Sequence, residues 1–399
     1  MNSETGRVLV YANQVKTFLW KIYTYAFLDL FILLFTSYSL YFRDSGLEPL
    51  QIGALFGVLP LTTLLCEVPT GVLADKYSRR MLLSIAQLIR ASGFAMWILF
   101  PSYMSFIIGF ALWGFSTSLI SGTFESFIYD ELKYFGRETE YERVRGKVEA
   151  FRFVGLMLAT FFGGFIALHS YEAVFIPSII VPIVSAVLIL TTRPVHSVRS
   201  TGERKYWHIL REAFTEFRGN SYLLLIVSYF VLCFGVIDGS EEFWVLYFRE
   251  RGVGLAGIGV ILGVVNAVTA LAGFTTHYWK TTERSMYLLM LIAGIAAINS
   301  TLFRLWITIP LSLLFSYVAQ VAVIKSEARV QHAVQSHQRA TVLSIRSLLA
   351  QLVTLGYFLA VGYFSEKYGY VSFFWIVGGV IAVLSALYIF IKHPKQTLE

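Results

Sequence analysis

The stretch Tyr41–Val58, YFRDSGLEPLQIGALFGV, returns at Tyr247–Val264 as YFRERGVGLAGIGVILGV, an offset of 206 residues (247 minus 41) in a chain of 399. Eight of the 18 aligned positions are identical: the Tyr-Phe-Arg opening, Gly46/Gly252, Ile52/Ile258, Gly53/Gly259, Gly57/Gly263 and Val58/Val264. Each copy follows one long apolar run and opens another. The chain therefore reads as two related halves in the same orientation.

Hydrophobic residues make up 56% of the chain and charged residues only 14%, where a soluble domain carries about a quarter charged residues. The apolar residues are gathered into runs of about 20, long enough to cross roughly 30 Å of hydrocarbon as helices. A β-barrel would show short alternating segments instead. The predicted fold class is an all-α membrane protein. Twelve transmembrane spans are expected, near 17–42, 49–74, 81–100, 103–132, 148–169, 172–192, 221–247, 254–278, 285–303, 305–328, 340–365 and 370–391. They form a first six-helix bundle over 1–192 and a second over 221–399, joined by a cytoplasmic linker at 193–220. In the linker, Trp207, Leu210, Phe214 and Phe217 fall on one helical face, which reads equally as an amphipathic surface helix or as a solvated linker helix. Parallel repeats in a chain this apolar are a mark of membrane transporters.

The basic residues carry the topology. Of the 32 Lys and Arg, only Arg43, Arg249, Arg251, Arg304 and Lys367 fall on one side. Lys21, Arg90, Arg152 and Arg346 lie inside spans, and the rest share the side of both termini. The positive-inside rule then predicts cytoplasmic termini in a multi-pass protein of the cell (inner) membrane. The basic pI is a topology signal and calls for no nucleic-acid partner. The two cysteines, Cys66 and Cys233, both fall in spans, so no disulfide framework is indicated. No cleavable signal peptide is read at the N-terminus. No extended soluble domain, nucleotide-binding loop, metal-ligand spacing or nucleophile constellation is visible, so neither an enzyme nor a cofactor is expected.

Between the second and third spans stands GVLADKYSRRMLL, Gly71 to Leu83. Glycine at a helix end permits close helix approach, and Asp75 beside Lys76, Arg79 and Arg80 offers charge-assisted bonds across a tight turn. This stretch resembles the cytoplasmic-loop signature of the major facilitator superfamily, Gly-x-x-x-Asp-Arg/Lys-x-Gly-Arg-Arg/Lys. Gly71, Asp75, Lys76, Arg79 and Arg80 match it, and Ser78 departs from the usual glycine. The resemblance covers nearly the whole chain and leans to the drug/proton antiporter-like branch. It implies a charge relay that locks the outward-facing state, with Asp130 in FIYDEL as the acidic partner. The aligned stretch of the second half, THYWKTTERS, keeps only Lys280 and Arg284 as basic residues. Two other signatures of the family are partial. The fifth-span antiporter motif is present as Gly155, Ala159, Thr160, Gly163 and Gly164 but lacks its Gly-Pro, and Phe110 holds the arginine position before Trp113-Gly114.

Ionisable groups at lipid depth are costly, about 2.5–3.5 kcal/mol each on insertion scales, and are functional candidates by default. Asp29 lies near the middle of the first span, with Tyr25 and Thr36 on the same expected helical face. A carboxylate there is either neutral or paired with a cation. It suits proton coupling or a cationic substrate; the structural alternative is a bond to a neighbouring hydroxyl or to Lys21. Asp238, Glu241 and Glu242 stack at i, i+3, i+4 in the seventh span, as a cavity-lining acidic patch, an outer gate or a surface cluster. Ser118, Ser121, Gly122 and Glu125 make a polar stripe in the fourth span. Glu67, Arg90, Glu125, Glu149 and Arg152 are expected to form an inner charge network with a structural role. Arg346 of the eleventh span, with Ser347, Gln351 and Thr354, is a candidate cavity group. Tyr25, Tyr38, Trp113 and Trp244 are candidate aromatic liners.

The expected function is secondary active transport of a small-molecule substrate by alternating access, coupled to protons. Efflux of an amphiphilic or drug-like compound is the first reading. Uptake of a polar metabolite is the alternative, and a non-transporting membrane sensor is a third. The expected partners are the lipid bilayer, the solute and protons, and the expected state is a monomer.

Overall fold

The computed structural model describes residues 3–192, 221–280, 282–333 and 339–391. The linker at 193–220, with Trp207, Leu210, Phe214 and Phe217, lies outside the described residues. Every regular element among the described residues is a helix. The first half contains α1 (Ser3–Leu30), a 3-10 turn (Leu33–Thr36), α2 (Tyr38–Asp44), α3 (Pro49–Lys76), α4 (Arg79–Leu99), α5 (Tyr103–Ile120), α6 (Thr123–Tyr134), α7 (Tyr141–Ile166) and α8 (Tyr171–Leu190). The second contains α9 (Ser221–Ser240), a 3-10 turn (Glu241–Phe243), α10 (Trp244–Glu250), α11 (Leu255–Thr275), α12 (Glu283–Ser300), α13 (Leu305–Ala333), α14 (Arg339–Tyr368) and α15 (Ser372–Phe390).

Eleven stretches among the described residues are long and apolar enough to cross a membrane. The remaining expected span is α12, only 18 residues long with Glu283 and Arg284 in its first turn, which dilutes its hydropathy. Large apolar side chains such as Leu65, Ile176, Val187, Leu271, Ile292 and Val383 stay exposed, as befits a surface solvated by lipid rather than water.

Three spans are broken, and the breaks are chemically repaired. A backbone group left unpaired in hydrocarbon costs several kcal/mol, so each interruption needs local partners. In the first span, the Leu34 N–H donates to Ser178 Oγ of α8 at 3.0 Å. Thr36 Oγ1 in turn donates to the Thr160 carbonyl of α7 at 2.8 Å. Gly163 of α7 lies against the Leu33 carbonyl, where a Cβ would approach within 2.3 Å. In the fourth span the chain turns at Gly122, whose φ of 70° is open to glycine at little cost. The seventh span is broken at Glu241–Phe243. Shifted by the repeat offset, Leu33–Thr36 falls on 239–242, so the first and seventh spans break at corresponding places.

The chain divides into two compact units, each of which takes a piece of the other half's sequence. The first unit holds most of the first half together with Leu255–Gly263, and the second holds most of the second half together with Phe42–Leu61. In the first unit the core joins Phe18, Ile22 and Tyr25 of α1 to Phe124, Phe127 and Ile128 of α6 and to Val148 and Ile189. In the second unit it joins Leu223, Ile226, Val227 and Val231 of α9 to Val330, Val342 and Ile345.

The repeated glycines explain the exchanged pieces. Gly46 and Gly252 have φ of 90° and 84°. In both copies the same two bonds close the helix end: Gly46 N–H to the Arg43 carbonyl and Leu47 N–H to the Phe42 carbonyl, then Gly252 to Arg249 and Val253 to Phe248. This is a Schellman-type end, which wants glycine in the left-handed region. Gly53 and Gly259 serve helix crossing. A Cβ on Gly53 would lie 2.4 Å from the Phe358 carbonyl and 3.0 Å from Gly362 Cα of α14, within the second unit. One on Gly259 would lie 2.8 Å from Gly164 Cα of α7, within the first unit. Two of the eight recurring identities, Gly46/Gly252 and Gly53/Gly259, are thus backbone requirements at a helix end and a helix crossing.

Gly259→Ala is expected to push α11 from α7, at about 1–3 kcal/mol for overpacking, and to lower the melting temperature of the purified protein. Gly273→Ala, in the same helix with nothing within 4 Å of its would-be Cβ, is the control and should not. Equal melting of the two variants would show that the crossing at Gly259 tolerates a side chain.

Candidate functional site

Asp29 is the centre of the first unit's polar chemistry. Its side chain is only 2% exposed. Arg90 of α4 donates to Oδ1 at 2.8 Å and also to the Asp29 carbonyl at 3.1 Å. Arg152 of α7 donates to Oδ2 at 2.6 Å. Gln87, one turn before Arg90, donates to Oδ1 at 2.8 Å and to the Tyr25 hydroxyl at 3.1 Å. Three helices therefore meet at one carboxylate held by two guanidiniums. Charge-assisted bonds of this length are the strong kind, and in a buried setting they offset the desolvation of all three ions.

The pairing continues outward along α7. Arg152 lies 3.6 Å from Glu149, Glu149 pairs with Arg145, and Arg145 reaches Glu125 of α6 at 3.0 Å. The expected separation between Asp29 and an inner network of Arg90, Glu125, Glu149 and Arg152 is therefore corrected: Asp29 is the hub of that network. Glu67 of α3 makes no ion pair among the described residues. Gln87 and Arg145 were missed by the sequence reading. The signal for Gln87 was its i, i+3 spacing to Arg90 on an otherwise apolar helix. Arg145 was assigned to a loop because α7 begins seven residues before the apolar run expected at 148.

Other placements also differ from expectation. Thr36 does not share a helical face with Tyr25 and Asp29, because the helix ends at Leu30. Lys21 does not pair with Asp29; it donates to the Thr191 carbonyl at the end of α8. The fourth-span stripe is divided by the turn at Ser121–Gly122. Trp113 packs among Phe35, Phe94 and Phe110. Tyr25, Tyr38 and Trp244 are buried. The candidate aromatic liners are thus largely engaged in packing.

At the other end of α4, Arg79 pairs with Asp130 of α6 and donates to the Ser126 carbonyl at 2.9 Å. Arg80 caps the end of α8, donating to the Thr192 and Leu190 carbonyls at 2.6 and 3.1 Å. The two arginines tie one helix start to two other helices. Lys76 is exposed, and the Asp75 side chain lies outside the described residues. Gly71 provides no close helix approach: a Cβ there would meet nothing within 4 Å.

In the second unit Asp238 lies in the last turn of α9, and Glu241 and Glu242 lie in the 3-10 turn. The expected i, i+3, i+4 stack is loosened because the α-helix stops between them. Asp238 and Glu241 are exposed and Glu242 is half-buried. None of the three makes an ion pair among the described residues; the nearby Arg251 instead donates to the Phe303 carbonyl at 2.6 Å. Arg346 of α14 meets Glu327 of α13 at 3.3 Å and lies over the Phe230 ring of α9 at 4.3 Å. Gln351 keeps a buried Oε1 without a donor. Thr354 is used in packing, bonded to the Gly235 carbonyl of α9 at 2.9 Å.

Asp29→Asn should leave Arg90 without a counter-charge and Arg152 with only Glu149, 3.6 Å away, at about 3–5 kcal/mol, and lower the melting temperature of the purified protein markedly. Adding Arg152→Gln should recover part of the loss. If the single variant melts with the wild type, the carboxylate is not the electrostatic anchor of α1, α4 and α7.

The model of the Major Facilitator Superfamily matches residues 19–324. An uncharacterized MFS-type transporter of Bacillus subtilis (strain 168), YxaM, is 24% identical over 259 residues, covering 62% of this chain. The chain spans 63% of that relative's length. Among solved structures, the nucleoside transporter NupG superposes with a TM-score of 0.79 at 15% identity, over 94% of this chain and 99% of that one. A bacterial homologue of the human lysosomal transporter Spinster gives 0.73 at 18% identity, over 97% of each chain. A D-xylose-proton symporter gives 0.73 at 16% identity, over 97% of this chain and 99% of its own. These likenesses establish the fold. With a family model matching 19–324, the chain belongs to the Major Facilitator Superfamily, a family of multi-pass membrane transporters and not of enzymes.

Proposed function

We propose that the chain is a proton-driven secondary transporter of a small polar solute, with both termini in the cytoplasm of a cell membrane. The carrying observation is the pair of breaks at corresponding places in the first and seventh spans. Interrupted helices in equivalent positions of two repeats are where transporters of this build handle solute and coupling ions. The two breaks carry different chemistry. Asp29, beside the first, is saturated by Arg90, Arg152 and Gln87, so its role is to anchor three helices. Asp238, Glu241 and Glu242, at the second, have no cation paired to them among the described residues. Three neighbouring carboxylates without a counter-charge favour holding protons, and they are the coupling groups in this reading.

Uptake of a polar solute is the favoured direction. It is supported by the packed state of the aromatic candidates. It also fits the NupG and D-xylose-proton symporter structures, which carry a nucleoside transporter's and a sugar-proton symporter's names. Export of an amphiphilic or drug-like compound is the second reading. It rests on the resemblance to the antiporter-like branch, whose fifth-span motif is kept here only in part, as Gly155, Ala159, Thr160, Gly163 and Gly164 without its Gly-Pro.

Cells expressing the wild type or Glu241→Gln should be grown on toxic cations, antibiotics, and toxic sugar, nucleoside and organic-acid analogues. Sensitisation by the wild type, reduced about tenfold or more in the variant and steeper in acidic medium, is expected. Protection by the wild type would reverse the direction. Wild-type effects that neither the variant nor external pH alters would remove the span-seven acids from coupling.

A further inference from the structure

We infer that the solute carries a negatively charged group, a carboxylate in the first place, which binds Arg346. This deepens the transport reading and rests on it. Arg346 lies within the apolar stretch Ile345–Tyr368, where α9, α13 and α14 converge in the second unit. Its side chain is 13% exposed, and a guanidinium stays charged at any working pH. A charge buried to this degree requires compensation.

The compensation present is incomplete. Glu327 offers one bond to Nη2, at 3.3 Å, from a side chain that is itself 42% exposed. Phe230 covers a face of the guanidinium at 4.3 Å, which satisfies the π-facing side but no in-plane donor. Nε and Nη1 are both buried and have no hydrogen-bond partner among the described residues. Asp29 is the contrast within the same chain: there two guanidiniums share a carboxylate that is 2% exposed, through bonds of 2.8 and 2.6 Å, and each keeps only its Nε buried without a partner among the described residues. Arg346 therefore keeps donor capacity and net charge that a small anion would satisfy. Glu327 already demonstrates that a carboxylate fits against this guanidinium. The enclosure by Phe230 and three helices favours a small water-soluble acid over a lipid headgroup. In the empty protein Glu327 holds the place that the solute's carboxylate competes for, so the pair sets affinity as well as structure.

The test uses the full chain, purified in detergent. Melting is followed while titrating pyruvate, lactate, succinate and glucuronate, with glucose, glycerol and uridine as neutral counterparts. At least one carboxylate should stabilise the wild type, with tenfold or greater loss of apparent affinity in Arg346→Gln and a smaller loss in Arg346→Lys. Glu327→Gln should bind the same acid several-fold more tightly, because the competing carboxylate is gone; a purely structural ion pair would give a lower melting point and no tighter binding. The proposal is overturned if no carboxylate stabilises the wild type, or if the affinity is unchanged in Glu327→Gln. It is also overturned if phosphatidylglycerol in the micelles alone reproduces the Arg346-dependent shift, which would make the occupant a lipid. Proteoliposome flux separates the two levels. Accumulation of a neutral solute that ignores Arg346 substitutions would defeat this site and leave transport standing. Arg346-dependent binding without any flux would defeat transport and leave the site standing.

Discussion

Burying Asp29 is tolerable only because Arg90, Arg152 and Gln87 close around it, and much of the first unit follows from that requirement. An unpaired carboxylate at this depth would be expelled or neutralised. Satisfying it fixes α4 and α7 against α1 at one height and one rotation, since guanidinium bonds at 2.8 and 2.6 Å leave little freedom. Asp29 itself lies one residue before the helix stops at Leu30. The break that follows is stitched to the neighbours by Ser178, Thr36 and Gly163. Charge pairing below and hydroxyl-backbone bonding above thus stabilise one interrupted helix from two sides. The ladder through Glu149, Arg145 and Glu125 then carries the ordering to α6, whose Asp130 is held by Arg79.

Span positions were legible in the sequence because lipid imposes a simple rule: long apolar runs become helices, as their backbone has no other partner. The repeat was legible for a stricter reason. Gly46 and Gly252 must adopt positive φ, and Gly53 and Gly259 must leave room for another backbone, so substitution at either pair is penalised independently of what the protein transports. Breaks within spans were not legible. Nothing in FLDLFILLFTSYSL distinguishes a continuous helix from one that stops at Leu30, because the decisive groups, Ser178 and Thr160, are more than a hundred residues away.

The same locality limit divided the charges wrongly. Asp29, Arg90 and Arg152 are far apart in sequence, and depth estimates alone put the first with the solute path and the others with an inner network. Pairing is a tertiary property. Arg145 was lost for a different reason: α7 continues seven residues past its apolar run toward the charged end, where hydropathy no longer reports the helix. Gly71 shows the opposite error. A motif residue was given a packing role by type, yet its neighbourhood is open.

The two halves share backbone devices and differ in charge. Both close a helix with the same glycine end, and both break their first span at corresponding places. Yet the first half gathers Asp29, Arg90, Arg152, Glu149, Arg145 and Glu125 into one ladder, while among the described residues of the second Asp238, Glu241 and Glu242 make no ion pair and Arg346 keeps Nε and Nη1 without hydrogen-bond partners. Duplication alone would preserve both the scaffold and its charges. Retention of the scaffold beside divergence of the charges indicates that geometry is the common inheritance and electrostatics the specialised part. A network of closely paired ions resists rearrangement, because each step exposes an ion to low dielectric. An incompletely paired one responds to a proton or an anion at little cost. On that physical ground the proposed transport reading assigns the response to the acids and Arg346 of the second half and not to the Asp29 ladder.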